Sequence, residues 1–373
     1  MKKITMFIPV LLLLCNCSAD RDLLNSEPTR WLGPTADGHY PDTGLLKVWP
    51  ENGPEIIWTF DSLGIGFSSA VIQGESLFCT GMVDSTGFLY KLNLEGDLVY
   101  RVPYGPEWNG SYRGTRGSPT VVGEKIYLVS GKGKLLCFNN QDGEILWSRD
   151  YFAEFGGKNI LWGIAETPVV DGDIIYATPG GKVHNVVALD RHTGELIWAC
   201  RGKGGLSAYC TPLLIEHNGR KLLVTYTAEY LLGIERVSGD LLWSVDVRNE
   251  YSCHFTTPLY HNGEIYYATS LDKGGGKLRL NADGSSVEVV WKNQECDYRG
   301  SSILVDGYVY EAYQYYKRLK WRCVNWDTGE EQFISGDLEC GASIYADGML
   351  YLYSLKGELA LVEPNPASFT VVS

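Results

Sequence analysis

Short apolar runs alternate with glycine-containing turns along most of the chain, and this pattern predicts β-strands. The unit TPVVDGDIIYATP at 167–179 places one apolar run before an Asp-Gly pair and a second, alternating run after it. Such a pair takes positive φ at low cost and joins two antiparallel strands. A second unit, ALDRHTGELIW at 188–198, contains another turn and ends in a tryptophan. No ten-residue stretch has a persuasive helical apolar period, so the pattern indicates an all-β protein.

Both units recur in degraded copies. Copies of the first unit are anchored by Pro or Ser at positions 119, 168, 212, 258, 302 and 343, which are 41 to 49 residues apart. Copies of the second unit occupy 90–100, 137–147, 233–243 and 323–333. Together the units predict four antiparallel strands per repeat. Four-stranded sheets with this period are typical of the blades of a β-propeller, which protects its sheet edges by radial repetition.

The complete copy at 188–198 resembles a known family motif. Its pattern A-x-D-x-x-T-G-x-x-x-W resembles the docking motif of quinoprotein-type propellers, which include pyrroloquinoline-quinone (PQQ) dehydrogenases and many non-enzymatic relatives. The resemblance implies that the tryptophan packs between neighbouring blades, while the Asp and the Thr brace the turn. The structural docking residues would be Asp190, Thr193, Gly194 and the tryptophans Trp147, Trp198, Trp243 and Trp291. Tyr100 and Phe333 depart from the pattern, so we expect weaker joints there.

The number of blades has two alternatives. Seven units begin near residues 69, 118, 167, 211, 257, 302 and 343, and the last continues to SFTVVS. The sequence EIIW at 55–58 looks like an outer strand without partners, which predicts that the amino-terminal strand completes the blade begun by the carboxyl-terminal residues. The chain forms either seven blades with irregular closure or the eight-bladed plan that the resemblance implies, lacking most of one blade. We favour the second, with one propeller domain over 55–373 after a tether and lead-in segment at 18–54.

The amino terminus predicts export. Two lysines precede an apolar run over 4–14, which is too short to span a bilayer comfortably. The run ends in Cys15-Asn16-Cys17 and is followed by polar residues, and the whole resembles a bacterial lipoprotein signal peptide at 1–17. We favour Cys17 as the lipidated residue, with Cys15 as the alternative. An outer-membrane lipoprotein, facing the periplasm or the cell surface and touching the membrane only through its anchor, would follow.

Charge and cysteine usage exclude some functions. The formal net charge is −13, which disfavours binding to nucleic acid. Eight cysteines after residue 17 are scattered singly, and no C-x-x-C spacing occurs among them. These cysteines therefore predict buried small side chains and no metal site.

Candidate binding residues precede each inner strand. In a propeller these positions ring one mouth of the central channel, where cations, acids and aromatic rings suit a polar ligand or a peptide segment. The candidates are Arg113, Arg116, Trp162, Glu166, Tyr209, His254, Tyr298, Arg299 and Glu339.

Two functions follow from the resemblance. The favoured one is a monomeric, non-catalytic binding or scaffold protein with a cell-envelope protein or glycan as partner, because outer-membrane assembly lipoproteins use the same repeat without a cofactor. Trp108, Tyr112 and Trp162 are the candidates for stacking on sugar rings. The alternative is an alcohol or sugar dehydrogenase that uses PQQ and calcium, with Arg113 or Arg299 beside the quinone and Glu166 on the metal. The chain lacks the adjacent cysteine pair of such enzymes, which favours the first function.

Overall fold

The computed structural model describes residues 27–270, 274–293, 297–315 and 318–373, and of residues 297–299 and 315 it describes the backbone only. The signal segment with Cys15 and Cys17, and also Cys296, lie outside the described residues. The described residues contain 29 β-strands and no α-helix. No helix among them could span a membrane.

The strands form seven sheets in chain order. The first strand, β1, is His39–Tyr40. The first three sheets comprise β2 (Val71–Gln73), β3 (Ser76–Val83), β4 (Thr86–Asn93) and β5 (Leu98–Pro106); β6 (Thr120–Val122), β7 (Lys125–Val129), β8 (Lys134–Asn139) and β9 (Ile145–Asp150); and β10 (Val169–Asp171), β11 (Ile174–Ala177), β12 (Val186–Asp190) and β13 (Leu196–Cys200).

The other four sheets continue the series. They comprise β14 (Leu213–His217), β15 (Arg220–Tyr226), β16 (Tyr230–Glu235) and β17 (Leu241–Asp246); β18 (Leu259–His261), β19 (Glu264–Ala268), β20 (Gly275–Leu280) and β21 (Val287–Asn293); β22 (Asp297–Val305), β23 (Tyr308–Tyr315), β24 (Arg318–Asn325) and β25 (Glu331–Ser335); and β26 (Gly341–Ala346), β27 (Met349–Ser354), β28 (Leu359–Glu363) and β29 (Thr370–Val371). In each sheet these four strands form an antiparallel meander, so the prediction of an all-β propeller of four-stranded blades is confirmed.

Hydroxyl side chains connect the inner ends of neighbouring sheets. The residue before or near the Pro or Ser anchor makes these bonds, as when the Thr120 hydroxyl donates to the Pro168 carbonyl at 2.7 Å. The equivalent bonds are Ser69 N–H to the Ser118 hydroxyl, Thr167 N–H to the Thr211 hydroxyl, Thr257 hydroxyl to the Thr211 carbonyl, Thr256 hydroxyl to the Gly300 carbonyl and Ser301 hydroxyl to the Ser343 carbonyl. These bonds join the seven sheets consecutively from first to last and explain why Ser and Thr recur in the motif.

The outer ends of the sheets are joined by aromatic side chains. Trp198 is buried, its indole Nε1 donates to the Arg236 carbonyl at 3.1 Å, and its ring lies against Gly239, which has φ +80°. Trp147 and Trp291 make the same contact with the Arg191 and Trp326 carbonyls, both at 3.1 Å. Any Cβ on the facing glycine would overlap the indole, so the turn requires glycine for both its φ and its space.

The turn that receives Trp147 is braced by its own side chains. The Asp190 carboxylate accepts hydrogen bonds from the His192 and Thr193 N–H groups at 2.8 and 2.9 Å and from the Thr193 hydroxyl. Although desolvation opposes the shift, these bonds lower the pKa of Asp190. The Thr193 hydroxyl in turn accepts from the Glu195 N–H at 3.2 Å, and Gly194 has φ +73°.

Three joints differ from the tryptophan pattern. Between the sixth and seventh sheets Phe333 packs against Phe369, with ring centroids 6.0 Å apart. Trp243 is buried over Gly233 of its own sheet and contacts the core shared with the next sheet, but its indole does not hydrogen-bond to the next turn. His217 fills that role and contacts the Asn281 carbonyl at 2.9 Å. Between the first and second sheets a tyrosine takes the place of the tryptophan, and the Tyr100 hydroxyl donates to the Asn140 carbonyl at 3.1 Å.

The amino-terminal segment closes the ring, although not as an outer strand. Residues 54–60 form no strand, and Ile56 and Ile57 are exposed, so the prediction of a strand at EIIW is wrong. The outer strand of the seventh sheet is β29, and β1 instead adds to the inner edge of that sheet, parallel to β26. Trp58 nevertheless donates from its indole to the Leu94 carbonyl at 2.7 Å in the first sheet. The described residues therefore form seven sheets, and Trp58 needs no eighth sheet to reach its turn.

Replacing Trp198 by Ala should destabilise the protein by about 3 kcal/mol or more, because the buried ring and its hydrogen bond are both lost. Ile197→Ala is the matched control, since Ile197 is half-exposed on the same strand, and should cost less than about 1 kcal/mol. Urea unfolding followed by circular dichroism measures both changes. Equal losses for the two variants would contradict the docking role of Trp198.

Candidate functional site

A cavity of about 440 Å³ lies where all seven sheets meet. Its lining residues come from the start of each inner strand or the residues before it, from the amino-terminal segment, and from Gln314, Leu319 and Leu355 of the sixth and seventh sheets. They include Trp31, Phe67, Ser69, Arg116, Ser118, Ala165, Thr167, Tyr209, Phe255, Gly300, Ser301, Cys340, Gly341 and Ala342. This cavity is the mouth of the central channel.

A second cavity of about 680 Å³ adjoins the mouth on the side of the first five sheets. It is lined by Phe67, Tyr112, Arg116, Trp162, Ala165, Tyr209, Tyr251, Cys253 and Phe255. We call it the aromatic cavity. Five of these residues also line the channel mouth, so the two spaces are continuous.

Three aromatic rings form one wall of the aromatic cavity. The Trp162 ring lies 5.7 Å from the Tyr209 ring and 6.2 Å from the Phe255 ring, centroid to centroid, and Tyr209 and Phe255 are 5.2 Å apart. The Tyr209 hydroxyl accepts a hydrogen bond from the Trp162 N–H at 3.1 Å, which fixes the two loops together. These tilted contacts are within the range in which aromatic rings attract one another. They hold a rigid apolar surface open to the mouth.

Arg116 is the charged residue of this cavity. Its Nη2 donates to the Ser111 carbonyl at 3.2 Å and to the Tyr112 carbonyl, and its guanidinium lies 5.6 Å from the Phe67 ring centroid. Its Nε is buried and has no hydrogen-bond partner among the described residues. Burial lowers the pKa of Arg116, and the Glu107 carboxylate opposes that shift. The side chain is therefore held in place through Nη2, while its buried Nε donor stays unused.

Two predicted mouth residues are instead buried inside the sheets. Both oxygens of Glu166 accept the Thr178 N–H at 3.1 Å, and the Tyr151 hydroxyl donates to the same carboxyl. Burial raises the pKa of Glu166 to about 7. His254 is stacked on Tyr226 at 4.6 Å, and burial lowers its pKa to about 4. Neither side chain lines a cavity, because each stands one residue away from a position that faces the channel.

The other candidates lie away from the cavities or have undescribed side chains. Arg113 is exposed and donates to the Asp84 carbonyl at 2.7 Å, and Glu339 pairs with Lys356 at 3.3 Å. Trp108 packs against Gly131 and Gly163 and donates to the Ser111 carbonyl, so it supports the loop and does not line either cavity. Tyr298 and Arg299 lie in β22, but their side chains are outside the described part of the structure.

Sequence reasoning missed Phe67, Tyr251 and Phe255. A simple signal could have found Phe255, because the residue three positions before each of the four Pro anchors lines the mouth, as Arg116, Tyr209 and Phe255 do. Extended chain alternates its side chains between two faces. Glu166, two positions before its anchor, and His254, four before, therefore point into the sheets. Tyr251 belongs to a longer loop, for which no comparable rule exists.

Comparison with known proteins adds a family. The model of the family described as outer membrane protein assembly factor BamB matches residues 50–335. The BamB protein of Moranella endobia (strain PCIT) is 27% identical over 243 residues, which are 62% of this chain and 58% of that protein. BamB of Kangiella koreensis is 25% identical over 133 residues, which are 35% of this chain and 32% of that protein. This chain thus spans less than two thirds of the length of either relative.

A solved structure supports the same fold. The crystal structure of BamB from Moraxella catarrhalis matches with a TM-score of 0.57 and 16% identity over 80% of each chain. The family match covers well over half of the chain and includes the segments that carry the PQQ-like repeat. This chain therefore belongs to the PQQ-like β-propeller family described as outer membrane protein assembly factor BamB.

Proposed function

We propose that this chain is an exported, lipid-anchored propeller that takes part in outer-membrane protein assembly by binding an envelope protein, without catalysis. Membership of the BamB family supports the process and the location at the outer membrane. The observation that carries a binding role is the aromatic cavity at the channel mouth, where rigid rings surround one arginine with an unused donor. Pockets with mostly apolar walls and few polar groups are typical of binding sites.

A protein partner fits this cavity better than a glycan. A sugar presents many hydroxyl groups, and each one that is buried needs a hydrogen-bond partner. The described lining of the aromatic cavity contains no Asp, Glu, Asn or Gln side chain. Aromatic and aliphatic side chains of a polypeptide need no such partners.

The described residues do not fit PQQ with calcium. The carboxyl of Glu166 is enclosed by Tyr151 and Thr178, and its pKa of about 7 leaves it partly protonated near neutral pH, so it is a poor metal ligand. No group of three or more His, Cys, Asp or Glu in the described ranges could hold a metal ion. PQQ is a tricarboxylate, and the described lining of the aromatic cavity offers one cation, Arg116.

The lipid anchor is proposed on Cys17, with the membrane contact limited to that anchor. Cys17→Ser should abolish palmitate labelling and move the chain from the membrane fraction to the soluble fraction, whereas Cys15→Ser should not. Palmitate labelling that persists in Cys17→Ser and disappears in Cys15→Ser would show that Cys15 is the lipidated residue.

Deleting the gene in the organism that encodes it should reduce the amount of β-barrel proteins in the outer membrane. Wild-type chain should restore that amount and Trp162→Ala should not, because the wall of the aromatic cavity is lost. Leu161→Ala is the matched control, since Leu161 is exposed and does not line the cavity. Quantitative immunoblots of outer-membrane fractions measure the effect. Unchanged β-barrel levels after deletion, or alcohol-dependent dye reduction by purified chain given PQQ and calcium, would contradict the proposal.

Glu166 should make the protein less stable as the pH rises. Its folded pKa of about 7 lies above the ordinary value of 4.5, so the folded state binds the proton more tightly than the unfolded chain. The free energy of unfolding should therefore fall between about pH 5 and pH 8, by up to about 3 kcal/mol from this group. Glu166→Gln, which stays neutral, should lose less stability over that interval. If the free energy of unfolding changes equally with pH in the two proteins, burial does not raise the pKa of Glu166. Glu166 would then be a candidate metal ligand again.

A further inference from the structure

The amino-terminal segment lies inside the central channel. The Thr29 N–H donates to the Val121 carbonyl at 2.9 Å, and the Val121 N–H donates to the Thr29 carbonyl at the same distance. Val121 is the middle residue of β6, the inner strand of the second sheet, so this pair occupies the strand edge that faces the channel. In the seventh sheet β1 occupies the same edge of β26. Residues 29–40, which we call the plug, therefore lie among the inner strands.

The plug is packed against several sheets. Leu32 and Ala36 are buried. The Gly38 carbonyl accepts a hydrogen bond from the Tyr345 N–H of the seventh sheet at 2.8 Å. A Cβ on Gly38 would lie 3.1 Å from the Ile303 side chain of the sixth sheet, so glycine is required here for space as well as for its φ of +84°. Contacts with the second, sixth and seventh sheets thus hold the plug in the channel.

Both ends of the plug leave the channel opposite the mouth, at what we call the far end. Gly341 and Ala342 at the start of β26 line the mouth, whereas β1 pairs in parallel with the last two residues of that strand. The chain therefore runs towards the far end as it leaves the plug. Ser118, just before β6, also lines the mouth, and Thr29 pairs antiparallel to β6, so Pro28 lies towards the far end as well.

The distance from the plug to the proposed anchor limits how the protein can turn. Cys17 precedes Thr29 by 12 residues. A chain of that length spans about 40 Å when fully extended and roughly 20 Å when relaxed. Four strands about 4.8 Å apart make each sheet roughly 20 Å wide, and a path around the sheet must then continue along the strands. Bringing the mouth to the membrane therefore needs a nearly fully extended chain, which costs conformational entropy.

We propose that the plug sets the orientation of the anchored protein. The far end lies towards the outer membrane, and the mouth points away from it. The mouth then meets a partner in the aqueous compartment, not a segment embedded in lipid. The anchor on Cys17 belongs to the proposed function, so this orientation rests on it and adds which end of the channel is free for the partner.

Energy transfer to labelled lipids measures the orientation. The full-length, lipidated chain is reconstituted into vesicles of phosphatidylethanolamine and phosphatidylglycerol that contain a rhodamine lipid. Fluorescein is attached to Glu124→Cys, exposed in the turn after β6 at the far end, or to Leu161→Cys, exposed beside the mouth. Transfer from Glu124→Cys should be about twofold higher, because the two positions differ in height by roughly the depth of a sheet, about 20 Å. The unsubstituted chain measures background labelling, since its described cysteines are buried.

Two variants test the part played by the plug. Gly38→Leu should expel it, because the new side chain meets Ile303, and the longer free tether should then reduce the difference between the two probes. Gly44→Leu is the matched control, because Gly44 also has a positive φ but has open space around it, and this variant should keep the difference. A flexible insertion of about 24 Gly and Ser residues after residue 20 should reduce the difference without altering the plug.

Hydrogen exchange checks the plug directly. The Thr29 N–H should exchange slowly in the unsubstituted chain and in Gly44→Leu, and quickly in Gly38→Leu, because its bond to Val121 is then lost. Circular dichroism shows whether each variant is folded. Rapid exchange across residues 29–40 of the unsubstituted chain would overturn the proposal, since nothing would then hold the plug.

Equal transfer from the two probes, or stronger transfer from Leu161→Cys, would also overturn the proposed orientation. If the chain binds the vesicles but the transfer is equal, the orientation fails while the anchor and the role in assembly stand. If the chain does not bind the vesicles, or if Cys17→Ser binds them equally well, the proposed anchor fails and the orientation fails with it.

Discussion

Hydrogen bonds between the inner ends of neighbouring sheets are the constraint on which the rest of this structure depends. A Ser or Thr near the start of each inner strand reaches the backbone or a hydroxyl of the next sheet, as Thr120 and Ser301 do. A sheet shifted by one residue would turn its hydroxyl away and bring the wrong face towards the channel. The same short segments therefore fix the spacing of the sheets and decide which side chains line the mouth. Position three before the anchor faces the channel, and Arg116, Tyr209 and Phe255 all occupy it.

The joint between the last and the first described sheet does not use a further copy of the repeat. The segment before the first sheet makes it instead. Lys47 pairs with Asp347 at 2.7 Å, and the Trp49 N–H donates to the hydroxyl of the terminal Ser373 at 3.0 Å, so this segment is tied to the seventh sheet. Trp58 then lies against the Gly96 turn of the first sheet, as the other docking tryptophans do on theirs. The joint between the seventh and first sheets thus has a docking tryptophan, but this tryptophan does not lie on an outer β-strand as the others do.

The fold could be predicted from sequence because its causes are local and repeated. Turn glycines indicate positive φ, alternating apolar residues indicate strands, and terminal aromatics indicate contacts between sheets. Trp147, Trp198 and Trp291 lie at the contacts that the motif implies. The sequence EIIW resembles the copies EILW and ELIW, but it pairs with no strand in the described part of the chain, and local pattern cannot reveal that difference. Trp243 shows the same limit, since His217 occupies the contact that the motif would give it.

The residues of the candidate site were less predictable, because each must lie near the channel mouth and also turn its side chain towards it. Glu166 and His254 are one residue out of phase with Arg116, and this difference separates a buried core group from a cavity wall. Loops supply the remaining wall, including Tyr251, and their course follows from packing across five sheets. The account of closure and mouth is tested most directly by a crystal structure of residues 27–373. It should contain seven sheets, the Trp58 indole on the Leu94 carbonyl, and Arg116 and Tyr209 at one mouth. An eighth sheet would contradict the account. So would a Trp58 side chain exposed to solvent, with no contact between the amino-terminal segment and the first sheet.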